Sequence, residues 1–333
     1  MKRKRKKIKE FSFSEIIENE IKFNGLRQGF SKTLNKFSRN LKYKNSVQHC
    51  DLTNIPFVTI DGEDSKDFDD AVWSECNKKK IKIMIAIADV SFYVEKGDLI
   101  DIEAKKRGNS FYFPNKVIPM LPEELSNDLC SLVPRKKRKS VVLEIDLDDG
   151  KVKKFKFHRA IIKSIARLTY QEVENIFLEK NKNNKLFSVV SNLFSTFKIL
   201  QENSKKRNKI SFDPDEYVIQ TDNKKNINLT KKKKLESYKL IEEFMVLANT
   251  IVGHYLKNNN IKSIFRNHEK PPNEKTKILK EIISEYNLNH SGSFDSQYDF
   301  NKIIEILKDN KISFLNDMLL RSQSRAFYST ENK

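Results

Sequence analysis

Ten consecutive residues, Asp61 to Asp70, carry five aspartates and one glutamate, within the run Thr59-Ile-Asp-Gly-Glu-Asp-Ser-Lys-Asp-Phe-Asp-Asp-Ala-Val72. Acidic runs are usually solvated. Here both flanks are apolar, Phe57-Val-Thr-Ile60 before and Ala71-Val-Trp73 after, which pins the run against a core. Carboxylates held close together repel one another and resist ionisation unless a cation neutralises them. Hard oxygen donors in this number suit Mg²⁺ or Mn²⁺. An EF-hand begun at Asp61 would need Gly at Lys66 and Glu at Val72, and one begun at Asp64 puts Lys66 and Phe68 on ligand positions, so both fail. The chain has no glycine-rich phosphate loop and no Gly-x-Ser-x-Gly elbow. A metal-dependent hydrolase acting on a phosphate ester remains.

The elements that must position this run follow from periodicity. Phe57–Ile60 reads as a buried strand, and Ile81–Val90 places Ile81, Ile83, Ile85 and Ile87 on one face of another. Ser140–Leu147 is a third strand, turned by Asp148-Asp149-Gly150 into a return strand, Lys151–Phe157. The period then lengthens. Thr169 with Glu172 forms a capping box ahead of a helix, and helices are predicted at Phe13–Phe23, Leu186–Glu202, Tyr238–Leu256, Glu274–Tyr286, Phe300–Leu307 and Phe314–Phe327. Lys180–Lys185 and Lys224–Lys234 read as exposed loops. Strands come first and helices follow, so the fold class is α+β, with a strand-rich N-terminal half and a helical second half.

The aspartate run is similar to the signature of the ribonuclease II/ribonuclease R catalytic (RNB) domain, nearest the ribonuclease R branch. Ile87-Ala-Asp-Val-Ser91, Arg107-Gly-Asn-Ser-Phe-Tyr-Phe-Pro114, Val117–Pro122, Leu125–Leu132, Ala166-Arg-Leu-Thr-Tyr170, Ile241–Met245 with Ala248-Asn249, and Phe265-Arg-Asn-His268 with Lys270-Pro271 extend the match over residues 54–329. The resemblance implies that Asp61, Asp67, Asp69 and Asp70 are the catalytic and metal-binding aspartates, with Mg²⁺ or Mn²⁺ as cofactor in a two-metal mechanism. It implies 3′–5′ hydrolysis of single-stranded RNA to nucleoside 5′-monophosphates. Tyr112 corresponds to an aromatic that stacks on a base near the 3′ end, a contact tolerant of sequence. Arg107, Asn127, Arg266 and His268 are expected to line the RNA channel or to support it.

Two segments follow from the same comparison: a basic linker-like stretch, 1–53, and the catalytic domain, 54–333. Family members carry two cold-shock-type OB domains before this domain and a third OB domain after it. The chain's last residues, Leu319–Lys333, stop short of a Thr-Ser-Pro-Ile-Arg-Arg-Tyr segment that holds a catalytic arginine in the family. The expectation is therefore RNA binding with poor turnover by this chain alone, unless a separate chain supplies that segment. The alternatives are an RNA-binding fragment without catalysis, half of a split exoribonuclease, or a basic structural protein, which leaves the aspartate run unexplained.

Composition sets the bounds. A formal net charge of +19 favours a polyanionic partner. The abundance of Lys, Asn, Ile and Phe also matches the codon usage of an AT-rich genome. Cys50, Cys76 and Cys130 lack metal-ligand spacing and fit a reducing compartment. No apolar run approaches the ~20 residues that span a bilayer, and Met1–Lys7 lacks the apolar core of a secretory signal. The expected location is cytoplasmic, without a membrane partner.

Overall fold

The computed structural model of the chain describes residues 12–41, 48–77, 79–114, 116–180, 183–210, 216–221, 227–288, 292, 294 and 296–332. The basic run Met1–Lys7 lies outside them. Helices α1 (Phe13–Phe23) and α2 (Lys32–Arg39) begin the described chain, each capped by a serine side chain, Ser12 and Ser31. Strands β1 (Cys50–Asp51), β2 (Val58–Asp61), β3 (Asp70–Asn77) and β4 (Lys80–Ala88) follow. Next come α3 (Val90–Tyr93), α4 (Leu99–Arg107), the hairpin β5 (Phe111–Phe113) and β6 (Lys116–Ile118), and a π-turn at Leu125–Leu129. Strands β7 (Arg138–Asp148), β8 (Lys151–Ile162) and β9 (Ala166–Thr169) complete a seven-stranded sheet in the order β1-β8-β7-β4-β3-β2-β9.

The sheet is mixed. β9 runs parallel to β2, pairing Asp61 with Thr169, and β1 runs parallel to β8; the other pairs are antiparallel. The turn between β7 and β8 holds Asp149 and Gly150 at positive φ, 50° and 76°, as a tight hairpin on twisted strands requires. Gly150 is also needed for space. A Cβ there would stand 2.8 Å from Asn203 Nδ2, the group that donates to the Gly150 carbonyl.

Helix α5 (Tyr170–Glu179) starts at the expected Thr169–Glu172 capping box. With α6 (Phe187–Lys206) and, after the hairpin β10 (Tyr217–Thr221) and β11 (Ile227–Lys231), α7 (Glu236–Asn258), it covers one face of the sheet. Ile83, Ile85 and Ile145 pack there against Leu193, Phe194, Leu240 and Phe244. The other face packs Met84, Ala86, Val142 and Phe57 against Leu34, Ile100 and Leu125. β4 is thus buried on both sides in its middle, whereas Ile87, expected beside Ile81–Ile85 in the core, is 41% exposed. β12 (Phe265–Asn267), α8 (Asn273–Glu285), α9 (Gln297–Asp309), α10 (Asn316–Ser322) and β13 (Phe327–Ser329) end the chain, with α8, α9 and α10 around their own core of Leu279, Phe300 and Leu319.

Two sequence expectations need correction. The lysine-rich segment 224–234 is a loop only in part: Ile227–Lys231 forms β11, and residues 222–226 lie outside the described ones. The helix expected over Phe314–Phe327 ends at Ser322. Gln323 turns to extended backbone, and Phe327 enters β13, paired with Asn267. In the other expected loop, residues 181 and 182 are outside the described set. The N-terminal helices are not detached from the body, since Ile17 and Ile21 of α1 pack with Ile118 and Leu34 of α2 joins the core. Among the described residues no helix is long and apolar enough to cross a membrane.

Candidate active site

Asp61 is the last residue of β2 and Asp70 the first of β3. Because Val58 pairs with Val72 in antiparallel register, both aspartates fall at the same end of the sheet. The loop between them is held by specific bonds. Phe68 N–H donates to the buried Ser131 hydroxyl (3.0 Å), which donates to the Lys66 carbonyl (3.0 Å). Leu132 N–H donates to the Phe68 carbonyl (2.7 Å), and Ala88 N–H to that of Asp69 (2.8 Å). Arg167, from β9, reaches back to the carbonyls of Gly62 and Glu63. The loop is therefore fixed by neighbours on three sides.

The carboxylates perturb one another. Burial pushes Asp70 up to about 7, with further upward pressure from Asp69 and Asp61. Burial likewise lifts Asp61 to about 6; Asp69 and Asp67 add to the rise, and the Arg167 guanidinium opposes it. Asp69 is raised by burial and by Asp67. Asp61 Oδ2 is buried without a hydrogen-bond partner. Asp67 accepts a hydrogen bond from the Tyr112 hydroxyl (2.8 Å), and Tyr112 is 66% exposed, so its ring is open to solvent. Tyr170, at the start of α5, is pushed up to about 12 by burial and by Asp61 and Asp70, and its ring lies 4.2 Å from that of Tyr238.

The structure thus brings the four aspartates into one electrostatic neighbourhood with Tyr112. Among the described residues, however, no three His, Cys, Asp or Glu side chains close on one point as they stand. The donor set fits a hard divalent cation: all-oxygen ligands, an orphaned buried Asp61 oxygen, and carboxyls whose charge is disfavoured until something neutralises it.

Of the other expected site residues, Arg107, Arg266 and Asn127 have partners of their own. Arg107 has a structural setting, the supporting half of its expectation. Its side chain is 3% exposed, pairs with Glu103 (3.0 Å), donates to the carbonyls of Arg27 (2.8 Å), Pro119 (3.1 Å) and Gly29, and lies over the Phe30 ring. All three guanidinium nitrogens are engaged, so it ties α4 to the segment after α1 rather than facing a phosphate. Arg266 sits on β12 and donates to the Tyr328 hydroxyl (3.2 Å), and exposed His268 follows it. Asn127 accepts from the Ser126 hydroxyl in the π-turn. Sequence reasoning missed Ser131, Arg167 and Tyr170 as site residues, although each falls in a block that carries the family resemblance.

Ser131 tests whether the loop is held as described. Ser131→Ala leaves the Phe68 N–H and the Lys66 carbonyl without their partner. A loss of about 1–3 kcal/mol is expected in urea unfolding; an unchanged midpoint would show that the hydroxyl does not hold the loop.

Comparisons with known proteins agree with the fold. The RNB domain model matches residues 49–333. Ribonuclease R of Escherichia coli (strain K12) is 36% identical over 294 residues, 85% of this chain and 36% of that protein. Ribonuclease R of Mycoplasma genitalium is 35% identical over 326 residues, 94% of this chain and 45% of the relative. The structure of Mycoplasma genitalium RNase R in complex with double-stranded RNA superposes with a TM-score of 0.89 at 30% identity, covering 96% of this chain and 59% of that one. The chain therefore spans less than half the length of these two curated relatives. By its family match and its fold, the chain belongs to the RNB domain family.

Proposed function

We propose that this chain carries the catalytic centre of a 3′–5′ exoribonuclease that hydrolyses single-stranded RNA to nucleoside 5′-monophosphates. The observation that carries this reading is the group of mutually destabilised carboxylates, Asp61, Asp69 and Asp70 with Asp67, on a loop fixed at one end of the sheet. Those four aspartates would hold Mg²⁺ or Mn²⁺, which when bound supplies an activated water and charge stabilisation on the scissile phosphate.

The protein's own groups have separate tasks. The exposed ring of Tyr112 offers a base a stacking face, while its hydroxyl fixes the Asp67 carboxylate. Arg167 and Ser131 hold the loop backbone, so the carboxylates keep their places when the strand enters. The net positive charge draws RNA in without selecting sequence.

A second reading is RNA binding through the basic surface with little turnover. One pair of assays separates the two. Binding of single-stranded RNA is expected to weaken steeply and log-linearly with salt. With Mg²⁺ or Mn²⁺, 3′-labelled RNA should release its label as a mononucleotide. Binding with the expected slope but no release supports the second reading, and a flat salt dependence removes the RNA interface altogether.

A further inference from the structure

At the far end of the sheet the structure opens a groove of about 620 Å³ between the β7–β8 turn, the end of α6 and the end of α7. The register fixes its place. Asp70 pairs with Ile87 at one end of β3 and β4, and Asn77 pairs with Lys80 at the other, where Lys80 faces Asp148 beside the turn. Seven residues of strand separate the two ends, roughly 23 Å, so the groove is separate from the carboxylates.

Its floor is apolar and aromatic. Phe155 and Tyr255 are 37% and 36% exposed, and their rings meet edge to face at 6.0 Å. Its rim is basic: Lys151, Lys206, Arg207 and His254 are all exposed. Lys151, Lys206 and His254 form no ion pair among the described residues, and the Arg207 guanidinium donates to the Ser204 hydroxyl. Cations near helix C-termini ordinarily answer the helix dipole. That accounts for Lys206 and Arg207 at the end of α6. It does not account for Lys151, which lies on a strand, or for two aromatic rings left open beneath the cations. An aromatic floor under a cationic rim matches a nucleobase and its phosphates, and the volume lies in the range of small-ligand sites.

We propose that this groove is a second contact for single-stranded RNA, holding a stretch of the strand remote from the carboxylates. Phe155 and Tyr255 supply the stacking surface, and Lys151, Lys206 and Arg207 meet phosphates. The choice of RNA as occupant rests on the reading above; the groove and its chemistry do not.

The test uses the whole chain, a chelator to prevent turnover, and a fluorescent RNA of about 20 nucleotides. Lys151→Glu/Lys206→Glu changes only exposed side chains, and Tyr255→Ala removes the stacking ring. We expect the charge reversal to weaken binding about tenfold and lower the salt slope by about 2, one for each lost phosphate contact. Tyr255→Ala should weaken binding about fivefold or more at every salt concentration, as loss of one base stack does. Thermal melts identify any variant that fails to fold, and the charge reversal then decides alone. Affinity and slope unchanged in Lys151→Glu/Lys206→Glu would overturn the proposal. Displacement of the RNA from the groove by millimolar AMP would overturn it too, by assigning the groove to a free nucleotide. In a parallel assay with Mg²⁺ or Mn²⁺ in place of the chelator, absent hydrolysis alongside a slope that still falls by about 2 would leave the groove standing and remove the exonuclease reading instead.

Discussion

Asp69→Asn is expected to lower RNA hydrolysis by at least about 100-fold while leaving RNA affinity within about threefold. Asp69 is coupled to the other carboxylates: it raises Asp61 and Asp70, and is itself raised by Asp67. In the proposed function, removing its charge withdraws one of the carboxylates that would hold the cation. The substitution changes neither size nor the backbone bond by which Ala88 N–H holds the Asp69 carbonyl, so the loop persists. In the proposed function RNA affinity comes largely from phosphate contacts across the surface, which this change would not touch. Hydrolysis and binding measured on one preparation check both halves. Equal loss of affinity and rate would mean that Asp69 binds the strand.

Asp70→Asn is expected to stabilise the metal-free protein at pH 8, by about 2–4 kcal/mol. The sign follows from linkage. The folded-state value of Asp70 is lifted to about 7 from an ordinary 3.8, so the native state holds its proton more tightly than the unfolded chain. That contribution to stability is fully present below about 4 and is lost as the pH rises through about 7. Asparagine is neutral throughout and loses nothing. The stabilising effect should therefore be large at pH 8 and vanish near pH 4, read by chemical denaturation with chelator present. Saturating Mn²⁺ should reverse the order at pH 8, because the cation stabilises only the protein that retains its ligands. A variant less stable than wild type without metal at pH 8 would show that the Asp70 carboxylate is not electrostatically strained.

Much of the scaffold was legible because its signals are local. Asp148-Asp149-Gly150 demanded a tight turn, and the structure gives both central residues positive φ. Thr169 and Glu172 sit three apart and form the capping box. The apolar stripe of α7 buries Leu240, Ile241 and Phe244 as its spacing required. What the sequence hid is non-local. β9 is four residues long and gains its place only by parallel pairing with β2, far back in the chain. Ser131 is an ordinary serine until Phe68 and Lys66 meet it. For Arg107 the sequence left a channel role and a structural one open, and only the fold shows three backbone carbonyls and Glu103 taking its donors. Phe327 fits a helical spacing and a strand equally well, and pairing with Asn267 decides the matter. The aspartate group was visible as a run. Its unequal setting, with Asp61 and Asp70 half-buried and Asp69 exposed, required the fold.

In the proposed function these carboxylates act through a divalent cation on the 3′ end of RNA. Digestion of 5′-labelled single-stranded RNA tests this, with the wild-type chain in Mg²⁺ or Mn²⁺, with chelator, and with Asp69→Asn. Stepwise shortening from the 3′ end is expected in the first condition, whatever its absolute rate, and none in the other two. Shortening that persists with chelator or in Asp69→Asn would contradict it, as would internal cleavage, or no metal-dependent shortening at all.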